Sequence, residues 1–382
     1  MAFYLASREI WRNKGRFFLF SLVIALITIL VLFIAALAQG LAQANKEYIE
    51  KLNAELIVFQ EKVELSTTTS RVGLDKLNNL RRIPGVADVG AIGFSSASLE
   101  FSNQQNSLDV ALIGVQPGKP GMPPVFSGNS IRSNRGYQAV IDGAIASRNG
   151  VRVGDKITIK TIVGSEDKFY QLDVVGITDG RQYFYQPSIF VPFETWDKIR
   201  PQAAEGQGQS NLVANVLAVK LTNPQDLKIM AATIESQVSG VEVVDRKTAY
   251  ESSPGYSAQQ STLNTQQGFT LLIGILVIGG FFQIQTLQKV PQIGVLKAIG
   301  TGNLIVAYTV ILQIILVTII GVAIGSISTI LLTLALPGGI PIMLTGNTTI
   351  LTIFTLLMIG PLGGLVSVRL ALKVEPLTAL GM

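Results

Sequence analysis

Four stretches of this chain are long and apolar enough to cross a bilayer, and none contains Asp, Glu, Lys or Arg. They are Phe17–Ala38, about Gly268–Leu287, a span within Leu304–Leu336 and Thr349–Val368. A crossing needs roughly 20 apolar residues, and a helix satisfies its own backbone hydrogen bonds in hydrocarbon. Composition agrees: 48% of residues are hydrophobic and 14% are charged, against about a quarter charged in a soluble domain. Ala36-Leu37-Ala38 has the look of a signal-peptidase site, but a cleaved signal has an apolar core of only about 7–15 residues. The first stretch is longer and reads as a retained anchor.

Charge sets the orientation. Arg8, Arg12, Lys14 and Arg16 precede the first span, with one acid, Glu9. Lys289 and Lys297 lie between spans two and three, and Arg369 and Lys373 follow the last. The remaining segments are close to neutral. The positive-inside rule therefore places both termini and the 288–303 link in the cytoplasm. Residues 39–267 and the loop 337–348 face the other side. The excess of basic residues is a topology signal, and nucleic-acid binding is not expected. Residues 1–16, with Tyr4 and Trp11 among the charges, suit an amphipathic helix lying in the interface.

Residues 39–267 read as a large α+β domain. Helical spacing continues past the first span through Leu41, Tyr48, Leu52 and Leu56. Strands are expected at 56–59, 89–101, 108–115, 139–141, 157–160, 169–177, 188–191, 212–221 and 241–244. Helices are expected near 73–82, 143–148 and 224–238. Asn103–Asn106 reads as a turn, 117–128 as a break and Pro201–Ser210 as a polar linker. Ile83-Pro84-Gly85-Val86 echoes Val238-Ser239-Gly240-Val241, each after a helix and before a strand. Two half-motifs in one core, interrupted by an inserted subdomain at about 130–205, would produce that echo.

The chain has no Cys and no His, which removes disulfides, thiol nucleophiles, His bases and the usual zinc sites. No carboxylate pair is marked out for acid–base chemistry, and no catalytic or metal site is assigned. Gly118-Lys119 precedes Pro120 and does not form a P-loop, so no nucleotide site is expected here. Uncharged spans also argue against an ion-coupled carrier. The spans offer small residues instead. Gly321 and Gly325 form a small-xxx-small pair in span three, and Gly360 and Gly364 another in span four, around Pro361. Such pairs let helices approach closely, within one chain or between copies. Gln283, Gln285 and Gln313 are candidates for hydrogen bonds between helices.

The link carries the most information. In Lys289-Val290-Pro291-Gln292-Ile293-Gly294-Val295-Leu296-Lys297-Ala298-Ile299-Gly300, Pro291 suits a helix start and Gly300 a helix end. A helix so short is marginal alone and needs a surface to dock on. The link resembles the pattern Arg-x-x-Glu-Ile-Gly-x-Leu-Arg-Ala-Ile-Gly of the MacB/FtsX/LolCE-type ABC transporter permeases. Lys289 and Lys297 stand for its Arg residues, and Gln292 replaces its Glu. Ala6–Lys14, Gly150–Lys156 and Glu375–Leu380 resemble further motifs of that family. Within it, the form of the link looks most like the DevC group of cyanobacteria.

The resemblance implies an α-helical membrane protein with four transmembrane helices and a MacB-like periplasmic core. It implies a permease subunit without enzymatic activity, paired as a homodimer, in the cell inner membrane. A DevA-like ABC ATPase would bind the ATP. A DevB-like membrane-fusion adaptor would lead to a TolC-like outer-membrane channel, with glycolipid as the cargo known in that group. The cytoplasmic link, Lys289 to Gly300, would couple to the ATPase. Lipoprotein release and FtsX-type regulation of a cell-wall hydrolase are the other roles that the family implies.

Overall fold

Short continuous apolar runs, such as Leu56–Phe59 and Val216–Val219, build a sheet whose central strands are buried on both faces. The computed structural model describes Arg8 and residues 11–101, 107–203, 212–253, 256–336 and 342–373. Two compact units divide the chain: a sheet unit, Leu41–Gln259, and a helical unit, Met1–Gly40 with Gln260–Met382. Helix α1 (Lys14–Glu50) contributes residues to both.

The sheet unit runs β1 (Leu56–Gln60), β2 (Val72–Gly73), α2 (Asp75–Arg81), β3 (Val86–Glu100), β4 (Leu108–Val115), β5 (Ser127–Gly128), β6 (Gln138–Asp142) and α3 (Gly143–Asn149). It continues with β7 (Lys156–Val163), β8 (Glu166–Thr178), β9 (Ser188–Pro192), α4 (Phe193–Ile199), β10 (Val213–Ala214), β11 (Val216–Leu221), α5 (Leu227–Gln237), β12 (Val241–Asp245) and α6 (Arg246–Glu251). The ten-stranded sheet has the order β12-β1-β11-β3-β4-β9-β6-β8-β5, with β7 between β3 and β8 off that path.

Its first four strands form a split βαβ arrangement. β1-α2-β3 and β11-α5-β12 are the two halves, and β1 and β11 pair antiparallel at the centre. The echo in the sequence falls at equivalent points. Gly85 and Gly240 each end a helical connection with positive φ, 96° and 71°, before the returning strand. Residues 130–205, expected as an inserted subdomain, supply β6 to β9. These strands continue the same sheet through parallel pairing of β9 with β4.

Period-two patterning decides which face each side chain joins. Leu56 and Val58 of β1 pack with Leu77 and Leu80 of α2 and Ile234 of α5. Ile57 and Phe59 point the other way, into a cluster with Tyr48, Ile49 and Leu52 from the end of α1. The strand expected at 212–221 is broken at Asn215. Its buried amide accepts from Phe94 N at 2.8 Å and donates to Thr67 O at 2.7 Å, so it serves neighbours outside its own ladder. The expected turn at 103–106 lies outside the described residues, as does most of the linker 201–210.

The helical unit holds α7 (Tyr256–Gln288), α8 (Val290–Ala298), α9 (Asn303–Ala335) and α10 (Gly346–Lys373), with the first part of α1. Four of these helices are long and apolar enough to cross a membrane. Phe17, Ile24 and Val31 of α1 pack with Ile278 of α7, Val317 of α9 and Ile359 of α10. Leu26, Leu276, Leu331 and Phe354 point outward instead. Apolar residues on both the inner and outer faces are what lipid surroundings require. The expected interfacial helix at 1–16 lies outside the described residues except for Arg8 and 11–16. Residues 374–382 of the tail lie outside them too.

Candidate functional site

Helix α8 is closed at both ends by local chemistry. Pro291 sits in its first turn, where a missing N–H costs nothing. Gly300 adopts φ +99° at the far end. Gly300 N donates to Lys297 O and Thr301 N to Leu296 O, both at 3.0 Å, which is a Schellman closure. One side of α8 is docked. Ile293 and Gly294 are buried, and Ile293 packs with Val306 of α9 and Ala371 of α10. Lys297 Nζ donates to Leu372 O at 2.8 Å, satisfying a carbonyl in the last turn of α10. Lys289 Nζ lies 3.4 Å from Gln313 Oε1 and 5.5 Å above the Phe17 ring.

The other side of α8 is open. Gln292, Val295 and Leu296 are exposed, and Ile299 is 78% exposed. A cleft of about 250 Å³ runs beside this face between α8 and α9. Arg8, Arg12 and Lys289 line it with Ile293, Leu296 and Val306, and no carboxylate is among the described residues of its wall. The link thus combines a docked side, which includes both of its lysines, with an exposed side of Gln292, Val295, Leu296 and Ile299 beside a cleft lined with basic residues.

The four glycines of the small-xxx-small pairs all sit at helix crossings within the chain. A Cβ on Gly321 would lie 2.6 Å from Ile24 Cβ, and one on Gly325 2.6 Å from Thr28 Cβ. Those two seat α9 on α1. Gly360 and Gly364 seat α10 on α9, with Thr318 and Ile314 against them. A third crossing joins α10 to α7. Gly363 meets Gly279 backbone to backbone, so that α10 and α7 touch there. Ser367 adds a hydrogen bond to Phe282 O at 2.9 Å and another to Thr286 Oγ1. Of the three glutamines, Gln285 and Gln313 are buried, and Gln313 accepts from Lys289.

Sequence reasoning missed a clamp in the sheet unit. The β8–β9 loop, residues 179–187, grips the end of α1. Tyr48 N donates to Gln182 O at 3.1 Å, and Tyr185 N to Ala44 O at 3.2 Å. Gln182 N donates to Glu47 Oε2 at 3.2 Å. Arg181 Nη1 donates to Lys51 O at 2.6 Å, while Arg246 of α6 donates to Glu50 O and Leu52 O. Two guanidinium groups therefore cap the carbonyls at the negative end of the helix dipole. Arg181 is held in turn by Asp179 at 2.7 Å and by its own N–H on Asp142 Oδ2 at 2.9 Å. Tyr185 OH also bonds Gln259 near the start of α7. The only local signal was the charged run Asp179-Gly180-Arg181 between two strands.

Burial raises the pKa of Asp142, opposed by the N–H groups of Ala144 and Arg181. Burial acts on Asp179 in the same direction. There the hydrogen bond and charge of Arg181, followed by the charge of Lys51, outweigh it and lower its pKa.

The MacB-like periplasmic core domain family matches residues 17–237, and the FtsX-like permease C-terminal family matches 268–376. The chain belongs to the MacB/FtsX family of ABC transporter permeases. The hemin transport system permease protein HrtB of Staphylococcus haemolyticus is 28% identical over 377 residues, covering 99% of each chain. The protein of that name from Staphylococcus epidermidis is 26% identical with the same coverage. The periplasmic region of MacB from Actinobacillus actinomycetemcomitans aligns with 53% of the permease and 94% of its own length, at 14% identity and a TM-score of 0.36. The permease is thus a non-enzymatic inner-membrane subunit that works with a separate ATPase.

Proposed function

We propose that this permease takes the stroke of its ATPase on α8 and delivers it through α1 to the external sheet unit, driving export of an amphipathic small molecule. The observation that carries the reading is the two-sided link. One side of α8 is fixed to α9 and α10 through Ile293 and Lys297, and the other presents Val295, Leu296 and Ile299. A helix held in this way transmits a push instead of absorbing it. The clamp on residues 44–52 supports the far end of the path, because displacement of α1 would pull directly on β8 and β9.

The relatives' printed name makes hemin the first cargo to test, since the alignment spans 99% of both chains. The form of the link, Val290–Gly300, favours a DevC-like exporter of glycolipid as a second reading, with a DevB-like adaptor and a TolC-like channel. Both cargoes are amphipathic. Both readings place the two termini and α8 in the cytoplasm and the sheet unit outside.

The test is reconstitution with the partner ATPase in vesicles. ATP-dependent movement of hemin with the intact permease, lost with Leu296→Asp while the ATPase still turns over, is the expected result. Movement at the normal rate with Leu296→Asp would remove α8 as the coupling element. Movement of glycolipid but not hemin would select the second cargo.

A further inference from the structure

A cavity of about 320 Å³ opens in the sheet unit between the loop after β1, the β8–β9 loop and α4. Its walls are aromatic. Phe94 and Tyr183 stack with centroids 4.5 Å apart and planes 26° apart. Trp196 lies directly on Gly93 and Gly114, where a Cβ would come within 2.4 and 2.5 Å of it. Two glycines side by side on β3 and β4 therefore make the room in which the indole lies. Trp196 Nε1 donates to Ser95 Oγ at 2.9 Å, which fixes the ring.

Two cations complete the wall. The Arg200 guanidinium lies 5.2 Å from the Trp196 ring centroid, and its Nε bonds Asp197 at 3.0 Å. Arg71 donates through Nη1 to Thr68 O and Ser70 O, which carry no formal charge to balance it. Burial first, and then the charge of Arg200, lowers the pKa of Arg71, so the two guanidinium groups feel each other. No Asp or Glu lines the cavity among the described residues.

The two bordering loops are strained. Lys62, Glu64, Leu65, Phe184 and Tyr185 have φ between 50° and 66°, and every described non-glycine residue with positive φ is among them. Such conformations are unfavourable for non-glycine residues and persist where surrounding structure enforces them. A hydrogen bond between Thr67 Oγ1 and Tyr183 OH ties one loop to the other. A concave aromatic wall with a few placed polar groups is the usual form of a small-molecule site.

We propose that this cavity binds a small organic anion with a flat apolar body, its carboxylate or sulfonate held by Arg71 and Arg200 and its flat part against Trp196 and Phe94. The site does not depend on which cargo the transporter exports. Its test uses the two tryptophans of the chain, Trp11 and Trp196. In full-length Trp11→Phe permease in lipid nanodiscs, Trp196 is the only indole. Titration with 1-naphthoate should quench its emission saturably, and the neutral 1-naphthalenemethanol should bind at least tenfold more weakly. Arg71→Gln and Arg200→Gln should each weaken 1-naphthoate at least tenfold, and the alcohol comparison needs no substitution within the cavity. Absence of saturable quenching at millimolar 1-naphthoate, or equal affinity for the acid and the alcohol, would overturn the proposal. Neither result bears on export, which the vesicle assay reads separately.

Discussion

Arg181 ties the end of α1 to the β8–β9 loop through both its side chain and its backbone. Its side chain caps Lys51 O and pairs with Asp179, its N–H meets Asp142, and its carbonyl accepts from Ser188 Oγ at 2.6 Å. Arg181→Met keeps the length of the side chain and removes its donors. The loss of a hydrogen-bonded, mostly buried guanidinium is expected to cost about 1–3 kcal/mol. Denaturant unfolding would measure it, and an unchanged midpoint would mean that the backbone bonds alone hold the clamp. The pH response has a definite sign. The pKa of Asp179 is lowered below the ordinary 3.8, so its contribution is complete above that pH and disappears as pH falls through the depressed value. Asp142 has a raised pKa and acts oppositely: its contribution is greatest below 3.8 and declines as pH rises through the raised value. Asp179→Asn should therefore flatten the acid limb of a plot of unfolding midpoint against pH. An acid limb of unchanged slope would show that Asp179 does not set it.

Among the elements, α8 is the one whose closure the proposed coupling depends on. Gly300→Ala places a Cβ at φ +99°, where an L-residue is disfavoured by about 1–2 kcal/mol. Unwinding of the last turn should release Lys297 from Leu372 O and lower ATP-driven transport without lowering ATP hydrolysis. Parallel assays of the two rates would show it, and transport that stayed tightly coupled would mean that the Schellman closure is dispensable. The ends of α8 were legible because proline and glycine act through their own backbone. The same holds for Gly85 and Gly240, where the chain turns back from helix to strand and the internal echo marked a true split βαβ. Elements made by partners distant in the chain were not legible. β11 starts at Val216 because Asn215 serves Phe94 and Thr67, and no local pattern announces that. β2 and β10 have two residues each and exist only through each other. The glycine pairs showed that helices would meet, but not that Gly321 would meet α1 while Gly360 met α9. Sequence spacing gives a face, and packing alone gives the partner.

For the whole molecule, the decisive quantity is the side of the membrane on which each part lies. The basic residues gather at Arg8–Arg16, Lys289–Lys297 and Arg369–Lys373, and the proposed orientation, with α8 inside and the sheet unit outside, rests on the positive-inside rule. Energy enters on one side and acts on the other only if this arrangement holds, so coupling through α8 and action through the clamp depend on it together. The chain has no Cys, and a single introduced thiol therefore reports its own location without interference. Ser165, in the β7–β8 turn, and Gln292, on the open side of α8, are both exposed. In spheroplasts, Ser165→Cys should react with a membrane-impermeant maleimide before lysis, and Gln292→Cys only after it. The opposite order would invert the protein and place the sheet unit in the cytoplasm. Labelling of both before lysis would mean that the chain between them, which includes α7, does not cross an odd number of times. Either outcome would separate α8 from the ATPase and end the transmission mechanism, whatever the cargo.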